Sequence, residues 1–122
     1  MSTADRRRAW RRGHWAERLC AAHLRLRGYR VIARRLRTPA GEIDLIARRG
    51  GTLAIVEVKA RPDETAAAEA ITARQRARIL DATRWFLAGR PDLTGLSIRF
   101  DAMLVTPRRW PRHLADAWRP ES

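Results

Sequence analysis

The chain predicts an α/β protein: a mixed central sheet covered by helices, in the order α-β-β-β-α-β. Three observations carry this prediction. Apolar residues recur at helical spacing near the N-terminus and again past the middle of the chain. Two short apolar stretches flank a Gly50-Gly51 pair in the manner of a hairpin. Glycine and proline separate the remaining stretches into elements of ordinary length.

The elements follow in order. Residues 9–27 read as a helix, with Trp15, Leu19, Ala22 and Leu26 at helical spacing and Ala16, Cys20 and Leu24 widening the apolar face. Gly28 fits its C-terminal stop. Residues 29–33 form a short strand candidate, followed by a basic loop over 34–40. Strands at 42–47 and 53–59 flank Arg48-Arg49-Gly50-Gly51. Pro62-Asp63-Glu64-Thr65 opens a long helix of about residues 65–88, ended by Gly89 and Pro91. A strand over 96–105 ends at Pro107, and the tail with Trp110, Leu114 and Trp118 reads as a terminal strand or short helix packed on the sheet. With no repeat and no long Ser/Gly linker, the expectation is one domain over 13–118. A basic arm free to flex precedes it (1–12), and a short tail follows (119–122).

Composition narrows the function classes. The 122 residues include 45% hydrophobic and 32% charged ones, the balance of a globular chain, and at this length it can bury roughly two-thirds of its unfolded surface. No uncharged apolar run approaches the ~20 residues of a membrane span. The arginines near the start have no apolar segment behind them, which argues against a secretory signal. Cys20 is the one cysteine and fits a reducing, cytoplasmic setting. The net charge of +13 points to an anionic partner, most simply nucleic acid. Residues 1–40 carry 12 basic and 2 acidic residues, residues 41–122 carry 14 and 11, so the excess lies in the first third. There Arg7, Arg8, Arg11 and Arg12, with Arg34, Arg35 and Arg37 of the basic loop, are the candidate phosphate contacts. Trp10 and Trp15 lie nearby for stacking on an unpaired base. Taken singly, each of these arginines is an ordinary solvated charge; the cluster is what points to nucleic acid.

The hairpin holds the chemistry. Alternation places Ile55, Glu57 and Lys59 on one strand face, and Glu42, Asp44 and Ile46 together on the neighbouring strand. A two-residue Gly50-Gly51 turn sets Asp44 directly opposite Glu57; a turn centred between Arg49 and Gly50 pairs Glu42 with Glu57 and leaves Asp44 on the diagonal. An odd-length loop breaks the arrangement. Facing carboxylates with Cβ atoms about 5 Å apart repel each other. A divalent cation relieves that repulsion, because Mg²⁺ favours one or two carboxylates completed by water and phosphate oxygens. Lys59 adds a cation two residues from Glu57, and the group suits metal-assisted phosphodiester hydrolysis. A bare Glu-x-Lys is usually a solvated pair on an edge strand. Here the apolar run Leu53-Ala54-Ile55-Val56 implies a central strand, where charges are costly. Lys59 is, moreover, the one lysine among 26 basic residues, and a compact ammonium approaches a water in a way that a guanidinium fork does not.

Gly41-Glu42-Ile43-Asp44-Leu45-Ile46-Ala47, Val56-Glu57-Val58-Lys59-Ala60-Arg61 and Arg99-Phe100-Asp101 together resemble the YraN-like family of small bacterial proteins, within the restriction-endonuclease-like superfamily of the PD-(D/E)XK signature. The likeness spans about residues 13–118. It implies a restriction-endonuclease-like core in the order read above, and a metal held by Asp44 and Glu57 with the backbone carbonyl of Val58. Gly13 and Glu17 match the family's Gly-x-x-x-Glu in the first helix, which implies a supporting metal-ligand role for Glu17. Where the family usually has a lysine in the second helix, this chain has Gln75, which shares a stripe with Ile71, Ile79, Ala82 and Phe86 and should point toward the sheet. That substitution leaves Lys59 alone and puts a two-lysine mechanism in doubt. Ile43, rather than proline, precedes Asp44.

Other chemistries lack support. Cys20 and His23 have helical spacing but no second ligand pair for zinc, and no phosphate-cradling GxxxxGK[ST] motif or Ser-His-Asp set can be assembled. Asp101 reads as a strand-end salt bridge or a structural hydrogen bond. The expectation is therefore a cytoplasmic Mg²⁺- or Mn²⁺-dependent nuclease acting on DNA, at branched or damaged structures, with catalytic Asp44, Glu57, Lys59 and Gln75. The alternatives are a non-catalytic nucleic-acid-binding module and a partner-binding subunit that keep the fold. A homodimer stays open, and no membrane partner is expected.

Overall fold

Helix α1 (Thr3–Leu26) begins the chain and closes on Gly28, whose φ of +85° suits a residue without a Cβ. The N–H groups of Gly28 and Tyr29 donate to the carbonyls of Arg25 and Leu24, satisfying the helix end. The computed structural model describes residues 3–62 and 71–120, with side chains from His14 onward.

Strands β1 (Arg30–Thr38), β2 (Gly41–Arg49) and β3 (Thr52–Ala60) form an antiparallel meander. Helix α2 (Ala73–Ala88) and a 3₁₀ turn at Pro91–Leu93 carry the chain to β4 (Ser97–Val105), which runs parallel to β3. A helical crossover is what a parallel pair requires. Strand β5 (Arg112–Trp118) returns antiparallel to β4, and the sheet order is β1-β2-β3-β4-β5.

One helix covers each sheet face. Ala16, Cys20 and Leu24 of α1 pack with Leu45, Ala47, Ala54, Val56 and Met103. On the other face Ile79, Ala82 and Phe86 of α2 pack with Ile46, Leu53, Ile55 and Phe100. Residues 53–56 are buried throughout, as a strand covered on both faces must be. The α/β restriction-endonuclease-like order is thus the fold, with β5 as the sheet's last strand. Trp118 of β5 stacks on Phe100, their ring centroids 4.3 Å apart.

Several local expectations need correction. The helical stripe on α1 is rotated: Ala16, Cys20, Ala21 and Leu24 are its buried residues, while Trp15 and Leu26 are exposed. Small residues let the helix lie close to the sheet, which leaves no room there for an indole. The stretch read as an arm is helical from Thr3 onward, and the side chains of Arg7, Arg8, Arg11 and Arg12 lie outside the described residues. The expected basic loop is strand: β1 runs on to Thr38, whose hydroxyl then accepts from the Ala40 and Gly41 N–H groups at the turn. Helix α2 starts later than expected, because Thr72 caps it by accepting from the Gln75 N–H at 3.1 Å. Ile71 therefore precedes the helix, and the expected start at Thr65 lies outside the described residues.

Candidate active site

The Gly50-Gly51 turn has the two-residue geometry, since Arg49 pairs with Thr52 and Leu45 with Val56. Continued one step, that register sets Asp44 opposite Glu57. The ladder stops there. Asp44 Oδ2 instead accepts from the Val58 N–H at 2.8 Å, so a side chain takes a donor of β3 that faces β2.

Alternation along β2 also breaks at this point. Ile43 and Ile46 both pack on the α2 side, whereas Leu45 and Ala47 pack under α1. Asp44 thus does not share a face with Ile46, contrary to strict alternation; it opens into a cavity under α1. Across from it in β1, Arg35 adopts φ +52°, a conformation uncommon outside glycine. Glu57, by contrast, follows Ile55 toward α2, where its Oε1 accepts from Gln75 Nε2 at 2.9 Å and lies 3.4 Å from Lys59 Nζ. Contrary to the shared face expected for them, the two acids approach from different sides, and their carboxyls come close enough in the gap between β2 and β3 to interact.

Glu57 and Lys59 are 8% and 9% exposed, so their charges are held away from water. Burial raises the Glu57 pKa, the charge of Asp44 and their mutual hydrogen bond raise it further, and Lys59 only partly offsets this; the carboxyl is pushed up to about 8. Burial also raises Asp44, opposed by its hydrogen bonds from Val58 and Glu57 and by Lys59. One carboxyl of the pair therefore holds a proton near neutrality unless a cation takes its place.

Glu17 is buried on α1 and lines the same cavity as Asp44, yet it does not join the pair. Its Oε1 lies 3.6 Å from Arg34 Nε and has no hydrogen-bond partner. Among the described residues no three His, Cys, Asp or Glu side chains are grouped to hold an ion by themselves. The ligand set expected for Glu17, Asp44 and Glu57 is thus reduced to the Asp44–Glu57 pair, with Glu17 beside it. That pair still fits a hard divalent ion. Mg²⁺ takes oxygen donors, needs only one or two protein carboxylates, and completes its shell with water and phosphate oxygens. An unpartnered buried oxygen nearby adds a hydrogen-bond acceptor for such a water.

The basic residues divide. Arg34 faces Glu17, Arg37 Nε lies 3.9 Å from Glu42, and Arg35 lines the cavity. The cavity, about 780 Å³, lies between the Trp15–Glu17 stretch of α1 and the neighbouring C-terminal ends of β3 and β4. Arg61, Pro62 and Pro107 line it too, and none of them figured among the expected site residues. The signal was present in the strand-ending prolines, because parallel strands place their C-terminal ends side by side. Cys20 lies buried beneath, its thiol pushed up to about 12 by burial and by Asp44 and Glu17, so that without a metal it stays protonated at neutral pH.

At the far side of β4 a second charged group has a structural task. Asp101 is 0% exposed and accepts from Arg99 Nε and Nη2 at 2.8 Å each and from the Asp116 N–H at 2.9 Å, with His113 Nε2 at 2.7 Å. Arg99 also donates to the Tyr29 hydroxyl. This is the salt bridge anticipated for Asp101, enlarged into a network that ties β5 and the end of α1 to β4. Among the described residues no helix is long and apolar enough to cross a membrane.

Residues 16–105 match the model of the uncharacterised protein family UPF0102. The chain is 59% identical over 112 residues to a UPF0102 protein of Parvibaculum lavamentivorans, covering 92% of this chain and 84% of the relative. It is 54% identical to one of Methylobacterium nodulans (94% and 90% covered) and 51% identical to one of a Chelativorans species (93% and 92% covered). The match spans α1 from Ala16 through the end of β4, and so includes Glu17, Asp44, Glu57, Lys59 and Gln75; the chain belongs to the UPF0102 family.

Proposed function

We propose that the protein is a divalent-metal-dependent nuclease that hydrolyses phosphodiester bonds in DNA. One observation carries the reading: half-buried Asp44 and buried Glu57, from two strands, bring their carboxyls close enough to interact, with the chain's one lysine 3.4 Å from Glu57, beside an open cavity. A pair of acids on neighbouring strands that raises its own ionisation cost is poor packing and good cation chemistry. Mg²⁺ or Mn²⁺, when bound, supplies a counter-charge for the phosphate and a water of lowered pKa.

The chain's own residues supply the rest. The Val58 N–H fixes the Asp44 carboxylate through its Oδ2. Gln75 Nε2 fixes Glu57 in the same way, so its neutral amide orients an acid, where a lysine would add charge. Lys59 orients the attacking water and offsets negative charge developing on the phosphate. The arginine excess holds the backbone.

The test incubates the protein with nicked, flapped, four-way and single-stranded DNA, with Mg²⁺ or Mn²⁺, against Asp44→Ala and Lys59→Ala. Cleavage that is lost in both variants supports the site; cleavage indifferent to both removes it. The absence of a third ligating acid among the described residues, with Gln75 in place of a lysine, favours one competing reading: a DNA-binding module without catalysis. Tight, salt-sensitive binding with no cleavage of any of these substrates decides for it.

A further inference from the structure

Trp15 is 59% exposed although it sits on the helix that covers one face of the sheet. Ala16, Cys20 and Leu24 bury that helix without it. Its indole instead lines the cavity that holds Asp44, with Pro62, Val105 and Pro107 as further apolar wall. Arg35 and Arg61 line the same cavity, and Arg35 does so with its backbone at φ +52°. Residues held in sparsely populated backbone conformations cluster where position matters for function.

A flat aromatic face, a guanidinium pair and a cavity of about 780 Å³ beside a phosphate-cleaving site match the size and chemistry of one nucleotide. Bases within a duplex have both faces covered by their neighbours and cannot stack on a protein ring. An unpaired base can, and stacking is worth ~1–3 kcal/mol per base. A peptide partner fits less well, since the net charge of +13 favours polyanions.

We propose that Trp15 and this cavity receive an unpaired DNA base next to the phosphate being cut, so that the substrate is a junction between duplex and single strand rather than continuous duplex. The placement of that phosphate rests on the nuclease reading above; the stacking itself does not.

The test measures binding by fluorescence anisotropy in EDTA at fixed salt, with a thymidine flap on a duplex and with the matching blunt duplex. Wild type, Trp15→Ala, Trp15→Phe and Trp85→Ala are compared; Trp85 is exposed on α2 and does not line the cavity. The expected result is a loss of roughly 5- to 150-fold for Trp15→Ala on the flap alone, the equivalent of ~1–3 kcal/mol. Trp15→Phe should keep most of the affinity, and Trp85→Ala all of it. In wild type, 2-aminopurine at the first unpaired position should be quenched on binding, which needs no variant to fold. Equal losses on both DNAs, no loss, or no quenching would overturn the inference. Cleavage with Mg²⁺ is scored separately. A Trp15-dependent flap preference without cleavage removes the nuclease and keeps the stacking site. Asp44-dependent cleavage with flap binding indifferent to Trp15 does the reverse.

Discussion

Raising the pH should destabilise the metal-free protein across a window in which most proteins change little. The Glu57 carboxyl has an ordinary pKa of 4.5 and stands at about 8 in the fold, through burial first and Asp44 second. The folded state therefore holds a proton that the unfolded chain has already released. Stability conferred by this group is full below about 4.5, declines through the interval, and levels off above about 8. At ~1.4 kcal/mol per pH unit, that interval amounts to roughly 3 to 5 kcal/mol, a large share of the stability of a domain this size. The assay is urea unfolding followed by circular dichroism, in EDTA, from pH 5 to 9. Glu57→Gln should flatten the profile, because glutamine does not titrate yet can still hydrogen-bond Gln75. Asp44→Asn should flatten it partly by removing the like charge, and saturating Mg²⁺ or Mn²⁺ should restore stability more at pH 9 than at pH 6. A wild-type profile that is level between pH 5 and 9, or one left unchanged by Glu57→Gln, would refute the reasoning.

Further outcomes follow from the same geometry. Asp101→Asn leaves Arg99 without its buried carboxylate and should cost about 3–5 kcal/mol in urea unfolding, while cleavage per folded molecule stays unchanged. Burial opposes the charged form of Asp101, but the hydrogen bonds from Arg99, His113 and the Asp116 N–H outweigh it and hold its pKa below the usual range. Its contribution is therefore present above about 3.8 and lost only as pH falls through the lowered value, the opposite sense to Glu57. Trp118→Ala removes the ring stacked on Phe100 and should cost about 3–5 kcal/mol by loosening β5, measured as a lowered urea midpoint. If the arginines hold DNA backbone, log affinity against log salt should fall with a slope near −0.9 per phosphate neutralised on duplex DNA; a slope near zero counts against nucleic acid altogether.

The fold and the centre of the site were legible along the chain because both depend on short-range patterns. Residues 53–56 announce a central strand, Gly50-Gly51 a two-residue turn, and together they set the register that brings Asp44 to Glu57. The inward-pointing Gln75 followed from helical spacing, while its bond to Glu57 is a contact only the fold supplies. Where the reading failed, tertiary contacts overrode local rules. The buried stripe of α1 turned away from Trp15 because close packing on a sheet selects Ala16, Cys20 and Ala21 over a larger ring. The supposed loop after residue 33 became strand because β2 offers most of it a ladder of partners, whatever its arginines prefer.

By itself, then, the sequence determined the order of elements, the hairpin register and the identity of the acids and the lysine, all of which follow from periodicity and spacing within a few dozen residues. Only the tertiary structure decided how those groups meet. The break in alternation at Asp44, the side-chain bond to the Val58 N–H and the opening beside Trp15 arise where β2 and β3 separate under α1. The pairing of Glu17 with Arg34 likewise depends on how a helix is laid across a strand. Such contacts join residues distant along the chain, and no local pattern encodes where they fall.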